Sequence, residues 1–476
     1  MLFNTIDFAI FLPIVFVIYW SLSSLGKTAQ NVTLLLASYF FYGWWNWTLL
    51  PLIVLSSTVD FIAGAQMDKS KDAWQRKTWL IISLVINLGL LSYFKYFNFF
   101  IDTFVQSFSL FGIDLNAPTL NIILPVGISF YTFQTLSYTI DIYRRKINST
   151  DDIVAFFTFV SFFPQLIIGP IERASRLLPQ MTVARKFDES NARHGLRQIL
   201  WGLFKKAVIA DNINILVNDI FNHADSYSSL FLFIALMLFA IQVYADFSGY
   251  SDMAIGTAHL FGIRLMTNFR YPFFSRDFME FFQRWHISLS TWFRDYLFIP
   301  LGGSRHGELR LSINVVLVFF ISGLWHGASY NYILWGVSCG LIYLIYRFSG
   351  LSNKAKVEEE PHPKLIPRHI LQMMLTFLCF SGTMIFIRTS DFGHTVDYFY
   401  RLVTQFGFGI PIQKMTPVMP WVSIMIIAEW VQRRKAFALQ IEHLNKPLRW
   451  VIYILIIQII LLFGTFNRDE FFYFQF

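Results

Sequence analysis

Ser312-Ile313-Asn314-Val315-Val316-Leu317-Val318-Phe319-Phe320-Ile321-Ser322-Gly323-Leu324-Trp325-His326-Gly327 is the stretch whose reading decides the architecture. From Ser312 to Leu324 it carries no charge, and it ends on a tryptophan, a histidine and a glycine. Read as a helix rising about 1.5 Å per residue, it places His326 roughly 24 Å from the basic edge marked by Arg310. A hydrocarbon core is only about 30 Å thick, so such a helix spans it. A histidine at that depth is costly unless it is hydrogen-bonded, which makes it a functional candidate. The competing role is a structural histidine bonded to a neighbouring helix.

Composition extends this reading to the whole chain. Of 476 residues 55% are hydrophobic and only 14% charged, with 54 Phe, 21 Tyr and 14 Trp. Ordinary globular chains carry about 25% charged residues. Apolar runs near the ~20 residues needed to cross a bilayer recur along the length. The fold class expected is therefore all-α: a polytopic integral membrane protein of about 11 transmembrane helices, with re-entrant and short helices around a central tunnel. One membrane domain over 1–476 is expected, with a cytoplasmic linker at 349–368 that holds the acidic run Glu358-Glu359-Glu360.

The formal charge of +8 does not point to nucleic acid. The basic residues sit in short segments between apolar runs, the positive-inside pattern. Segment 68–77 (Lys69, Lys71, Arg76, Lys77), the run Arg144-Arg145-Lys146, segment 173–206 and Arg433-Arg434-Lys435 are assigned to the cytoplasm, which puts both termini outside. Segment 120–143 is expected to be a span, 173–206 a loop, and 230–244 a span that stops before the polar run Asp246 to Asp252. Segment 153–171 lies between two cytoplasmic segments. Its centre, Phe162-Phe163-Pro164-Gln165-Leu166-Ile167-Ile168-Gly169-Pro170, predicts a broken, re-entrant helix. Cys339 and Cys379 both fall in apolar segments and build no disulfide framework.

A second polar cluster lies forty positions before His326: Phe281-Phe282-Gln283-Arg284-Trp285-His286-Ile287-Ser288-Leu289-Ser290-Thr291-Trp292-Phe293-Arg294-Asp295. The enclosing segment 264–310 has seven arginines and no lysine, interleaved with aromatics. That composition predicts short helices packed at the membrane face, their arginines bonded to backbone or to an anionic ligand. The carboxylates of Asp246 and Asp252 are expected to bond these arginines. No Gly-x-Ser-x-Gly and no His-Glu-x-x-His occurs. A metal site built from His286 and His326 would need further ligands, and no cluster of Cys or carboxylates supplies them. General base chemistry, with a second imidazole to orient a substrate, is what the residues leave open.

Taken in order, Met1-Leu2-Phe3-Asn4, Leu124 to Gln134, Phe162 to Pro170, Asp246 to Asp252, Arg284-Trp285-His286, Leu324-Trp325-His326-Gly327 and Phe472-Tyr473-Phe474-Gln475-Phe476 resemble the membrane-bound O-acyltransferase family. The resemblance covers nearly the whole chain. It points to the bacterial branch that acetylates alginate and peptidoglycan. It implies that His326 is catalytic and that His286 is the second signature position. It also implies an acetyl group passed from cytoplasmic acetyl-CoA, with no bound cofactor, through a tunnel to an acceptor outside. The acceptor would be a polysaccharide, or an exported SGNH-hydrolase-like acetyltransferase partner that relays the group. The location implied is a bacterial cytoplasmic (inner) membrane. On this resemblance Arg284 and Arg294 are candidates to hold the phosphates of coenzyme A, and Trp285 and Trp325 to wall a water-poor tunnel. Two alternatives stand beside it: D-alanyl transfer to teichoic acid, and a transporter or export-complex scaffold. A transporter predicts internal repeats, and the sequence shows none.

Overall fold

The computed structural model describes residues 1–115, 120, 122–350 and 365–466. Most of the expected 349–368 linker, the terminal motif 472–476 and the C-terminus fall outside these residues. Every regular element described is helical. Six stretches are long and apolar enough to cross a membrane: Lys27–Lys69, Ala73–Ser109, Ser229–Leu260, Gly307–His326, Pro367–Arg388 and Lys446–Phe463. Shorter apolar helices cover Ile6–Ser21, Ile153–Leu166 and Met419–Val431. Large apolar side chains such as Leu461 and Leu462 stand exposed on these helices, as lipid-facing residues do. The protein is a multi-pass, all-α membrane protein.

The described chain forms two compact units, one of residues 1–192 with 258–265, the other of 193–257 with 266–476. In the first, polar side chains knit helices that have little hydrophobic reason to associate in lipid. Asp60, fully buried on helix Leu50–Lys69, accepts hydrogen bonds from Ser83 Oγ at 2.6 Å and Asn87 Nδ2 at 2.9 Å, both on helix Ala73–Leu91. Arg76 donates to the carbonyls of Ile142 and Tyr143, closing the end of helix Ile128–Tyr143. The segment expected to be re-entrant is broken as its prolines require. Helix Ile153–Ser161 stops at Phe162, whose ψ of 107° is not helical, and a single turn Phe163–Leu166 follows. Residues 162–171 are all buried.

Three expected boundaries are corrected. The span placed at 120–143 begins only at Ile128. Pro125 lacks an N–H, and Gly127 takes the left-handed conformation at φ +77°, so residues 122–127 cannot enter the helix. The expected loop 173–206 is largely helical, with Ala174–Met181 and Glu189–Leu203, the latter running on through a π-helical turn Phe204–Ala210 into Asp211–Asn222. The span placed at 230–244 does not stop there: Ser229–Leu260 is one helix of 32 residues.

In the second unit, the reason that long helix continues through Asp246 and Asp252 lies in its neighbour. A Cβ added at Gly202 would stand 2.5 Å from the carbonyl oxygen of Gly249, and one at Gly256 would stand 2.5 Å from that of Gly195. Glycines seven apart on both helices therefore bring the two backbones into contact. That approach sets Lys206 2.9 Å from Asp246 and 2.7 Å from Asp211, and Lys205 2.7 Å from Asp252. The ion-pair partners seen for the aspartates are lysines that precede them in the chain, where the following arginines were expected. Buried charges are tolerated when paired and hydrogen-bonded in this way.

Candidate active site

His326 is placed by a helical hairpin in the second unit. Helices Gly307–His326 and Tyr330–Phe348 cross with almost nothing between their backbones. A Cβ at Gly323 would lie 2.2 Å from the carbonyl oxygen of Tyr332, and a Cβ at Gly336 would lie 2.2 Å from that of Phe319. The first helix ends on His326 because Gly327 is extended, at φ −157° and ψ 147°. The imidazole is buried, 6% exposed. It meets Trp325 edge-on at 4.9 Å and Trp335, from the second helix, edge-on at 5.0 Å between ring centroids. The indole N–H of Trp335 is buried and has no hydrogen-bond partner among the described residues.

His286 reaches the same place from the short-helix segment. It is one of three non-glycine residues at positive φ among those described, at φ 44° and ψ 53°, in the turn between helices Phe278–Arg284 and Ile287–Phe293. A left-handed backbone at a buried residue is a strained conformation that the surroundings must hold. Phe247 from helix Ser229–Leu260 stands edge-on to the imidazole at 4.6 Å, and Phe269 stacks on it at 6.4 Å. Trp325 lies 6.0 Å away and His326 6.2 Å, centroid to centroid. Neither ring nitrogen of His286 has a hydrogen-bond partner among the described residues. Burial pushes its pKa well below the ordinary histidine range, so the ring is neutral at physiological pH. The two imidazoles thus stand side by side within aromatic walls, and no described residue takes either nitrogen of His286.

The remaining candidates divide. Trp325 belongs to the histidine cluster. Trp285 is buried one layer back, stacked on Phe281 at 5.4 Å and packed against Phe380 at 4.8 Å and Phe269 at 5.2 Å. Arg284 is buried and committed. Its Nη2 lies 2.7 Å from Glu280, which also takes Arg276 at 3.0 Å, and its Nη1 donates to the carbonyl of Arg270 at 3.3 Å. Arg294 has a half-exposed side chain, 58%, and pairs with its neighbour Asp295 at 2.7 Å. Short helices carrying aromatics were foreseeable in 264–310. The partner of two of its arginines was not, because a carboxylate on the same helix, Glu280, supplies it. Trp335, Phe247 and Asn268 also shape the site. Trp335 could have been found by folding the 312–346 region at Gly327, which pairs the two glycine-bearing faces.

Residues 143–351, a range that holds both histidines and the hairpin, match the family model described as "MBOAT, membrane-bound O-acyltransferase family". The chain belongs to this family. A probable alginate O-acetylase, AlgI, of Pseudomonas syringae pv. tomato is 35% identical over 405 residues, 83% of this chain and 74% of that protein. A peptidoglycan O-acetyltransferase of Helicobacter pylori is 35% identical over 420 residues, 82% of this chain and 77% of its own length. More distant is a teichoic acid D-alanyltransferase of Bacillus subtilis, 27% identical over 275 residues, 55% of this chain and 69% of that protein. The chain is a membrane O-acyltransferase.

Proposed function

We propose that the protein transfers an acetyl group from cytoplasmic acetyl-CoA across the membrane to a hydroxyl on an extracytoplasmic polysaccharide, or on a partner protein that relays it, with His326 as general base. The observation that carries this reading is the approach of His326 and His286 to 6.2 Å between ring centroids inside walls of Trp325, Trp335, Phe247 and Phe269. A water-poor site favours thioester chemistry because competing hydrolysis is suppressed and electrostatic interactions are strengthened. His326 removes the hydroxyl proton as the oxygen attacks the thioester carbonyl. The new C–O bond forms, the C–S bond breaks, and the proton passes from His326 to the departing thiolate. His286, neutral and with neither nitrogen bonded to a described residue, positions the acyl carbonyl or the acceptor beside the base.

Of the candidates for donor binding, Arg294 keeps an exposed guanidinium suited to a phosphate, whereas Arg284 serves as an internal brace. Acetyl is favoured over D-alanyl because the O-acetyl-transferring relatives are the more similar, 35–38% against 27–28% identical. An inner-membrane location and a relay through an exported SGNH-hydrolase-like acetyltransferase belong to the same reading, and the basic segments put both termini outside. The test is transfer in sealed vesicles carrying the purified protein. Radiolabelled acetyl-CoA supplied on one side should label alginate or muropeptide hydroxyls, or a relay protein, on the other. Vesicles that consume the donor only by hydrolysis, or that move an unmodified polymer instead, would contradict it.

A further inference from the structure

We infer that Asn268 is a positioning residue for His286, holding the strained backbone from which that imidazole projects. The inference rests on the role given to His286 above. Nothing polar orients the His286 ring, since both its nitrogens lack partners among the described residues. Its aim therefore depends on its backbone and on the rings packed around it. That backbone is left-handed, at φ 44°, a conformation a buried histidine keeps only when its flanks are fixed.

The flanks are fixed by one loop. Arg270 N–H donates to the carbonyl of Arg284 at 3.0 Å, just before His286. Just after it, Ile287 N–H donates to the carbonyl of Asn268 at 2.9 Å. The side chain of Asn268 then takes the next residue: its Oδ1 accepts from Ser288 Oγ at 2.9 Å and from Ser288 N–H at 3.4 Å. Its Nδ2 donates to Ser251 Oγ at 3.1 Å, which ties the arrangement to helix Ser229–Leu260. Asn268 is fully buried, and His286 itself offers no side-chain cap to helix Ile287–Phe293. The first free N–H groups of that helix are thus satisfied from a remote loop. The same loop carries Phe269, which stacks on the imidazole, while the helix holding Ser251 carries Phe247, which meets it edge-on. One side chain thereby locks the histidine's backbone to the elements that supply its walls.

A misplacement of about 1 Å can cost about 10²-fold in rate. In reconstituted protein with acetyl-CoA as donor, Asn268→Ala should lower kcat by about 10–100-fold with the donor KM nearly unchanged. The deciding readout is a double-mutant cycle with His286→Ala. Once the imidazole is gone, Asn268→Ala should cost little more. An equal loss in both backgrounds would make Asn268 merely structural and overturn the inference, as would a near-normal kcat for Asn268→Ala. A harmless His286→Ala would instead remove the role given to His286, a failure visible in the single variant. If Asn268→Ala does not insert, Ser251→Ala removes only the anchor of the Asn268 amide. A few-fold loss confined to the His286 background is then expected, and the same loss in both backgrounds, or no loss at all, overturns the inference.

Discussion

Gly336→Ala should displace His326 without touching it. The new methyl would lie 2.2 Å from the carbonyl oxygen of Phe319, about 1.2 Å inside the 3.4 Å at which ordinary contact begins. The obstructing atom is backbone, so no rotamer change relieves the clash. The two helices must separate by about an ångström, and Gly323, facing Gly336 across the crossing, moves with Phe319. His326 is three residues beyond Gly323 on the same helix. Overpacking of this kind costs about 1–3 kcal/mol in stability. A shift of about 1 Å at the base should lower kcat by about 10²-fold. The assay is donor consumption by purified protein in lipid nanodiscs, with acetyl-CoA and either alginate or muropeptide as acceptor, alongside thermal unfolding. Gly382→Ala is the control, because a methyl there meets nothing within 4 Å. Wild-type turnover and wild-type unfolding in Gly336→Ala would refute the claim that backbone contact at this crossing places His326.

Glu280→Gln should leave two buried guanidiniums, Arg276 and Arg284, without the carboxylate they share, at a cost of about 3–5 kcal/mol. Thermal unfolding in detergent measures it, and the donor KM of the surviving enzyme should be unchanged. Arg294→Ala should do the reverse, raising the KM for acetyl-CoA while unfolding as wild type, since its side chain is mostly exposed. Cysteines placed at Asp225 and at Arg434, in a chain lacking Cys339 and Cys379, should label from opposite sides of the membrane; same-side labelling would undo the topology.

The helical membrane fold was legible because hydropathy alone reports it, and the break at Phe162 because Pro164, which has no backbone N–H to donate to the preceding turn, starts a new helical turn instead. His326 stood out as a polar residue ending an apolar run and His286 as part of a polar cluster, and the fold brings them together. What stayed hidden depended on partners distant in sequence. Asp246 and Asp252 looked like the end of a span because nothing nearby shows that Lys205 and Lys206 neutralise them. Segment 173–206 looked like a loop because eight basic residues against two acidic read as solvated chain, although glycine contacts at 195 and 202 pack its second half as a helix. Arg284 looked like a ligand for phosphate because only the fold shows that Glu280, one helical turn earlier, takes its guanidinium. Asn268 gave no signal at all, since its role consists of hydrogen bonds to residues 17 and 20 positions away.

The role of His326 as base is tested most directly by acyl transfer in His326→Ala, measured beside His286→Asn at matched membrane levels. General-base assistance is typically worth about 10²–10⁴-fold, so His326→Ala should lose at least that order while inserting normally. His286→Asn should be milder, because an amide still donates and accepts hydrogen bonds without titrating. A His326→Ala enzyme with near-normal turnover would contradict the mechanism outright.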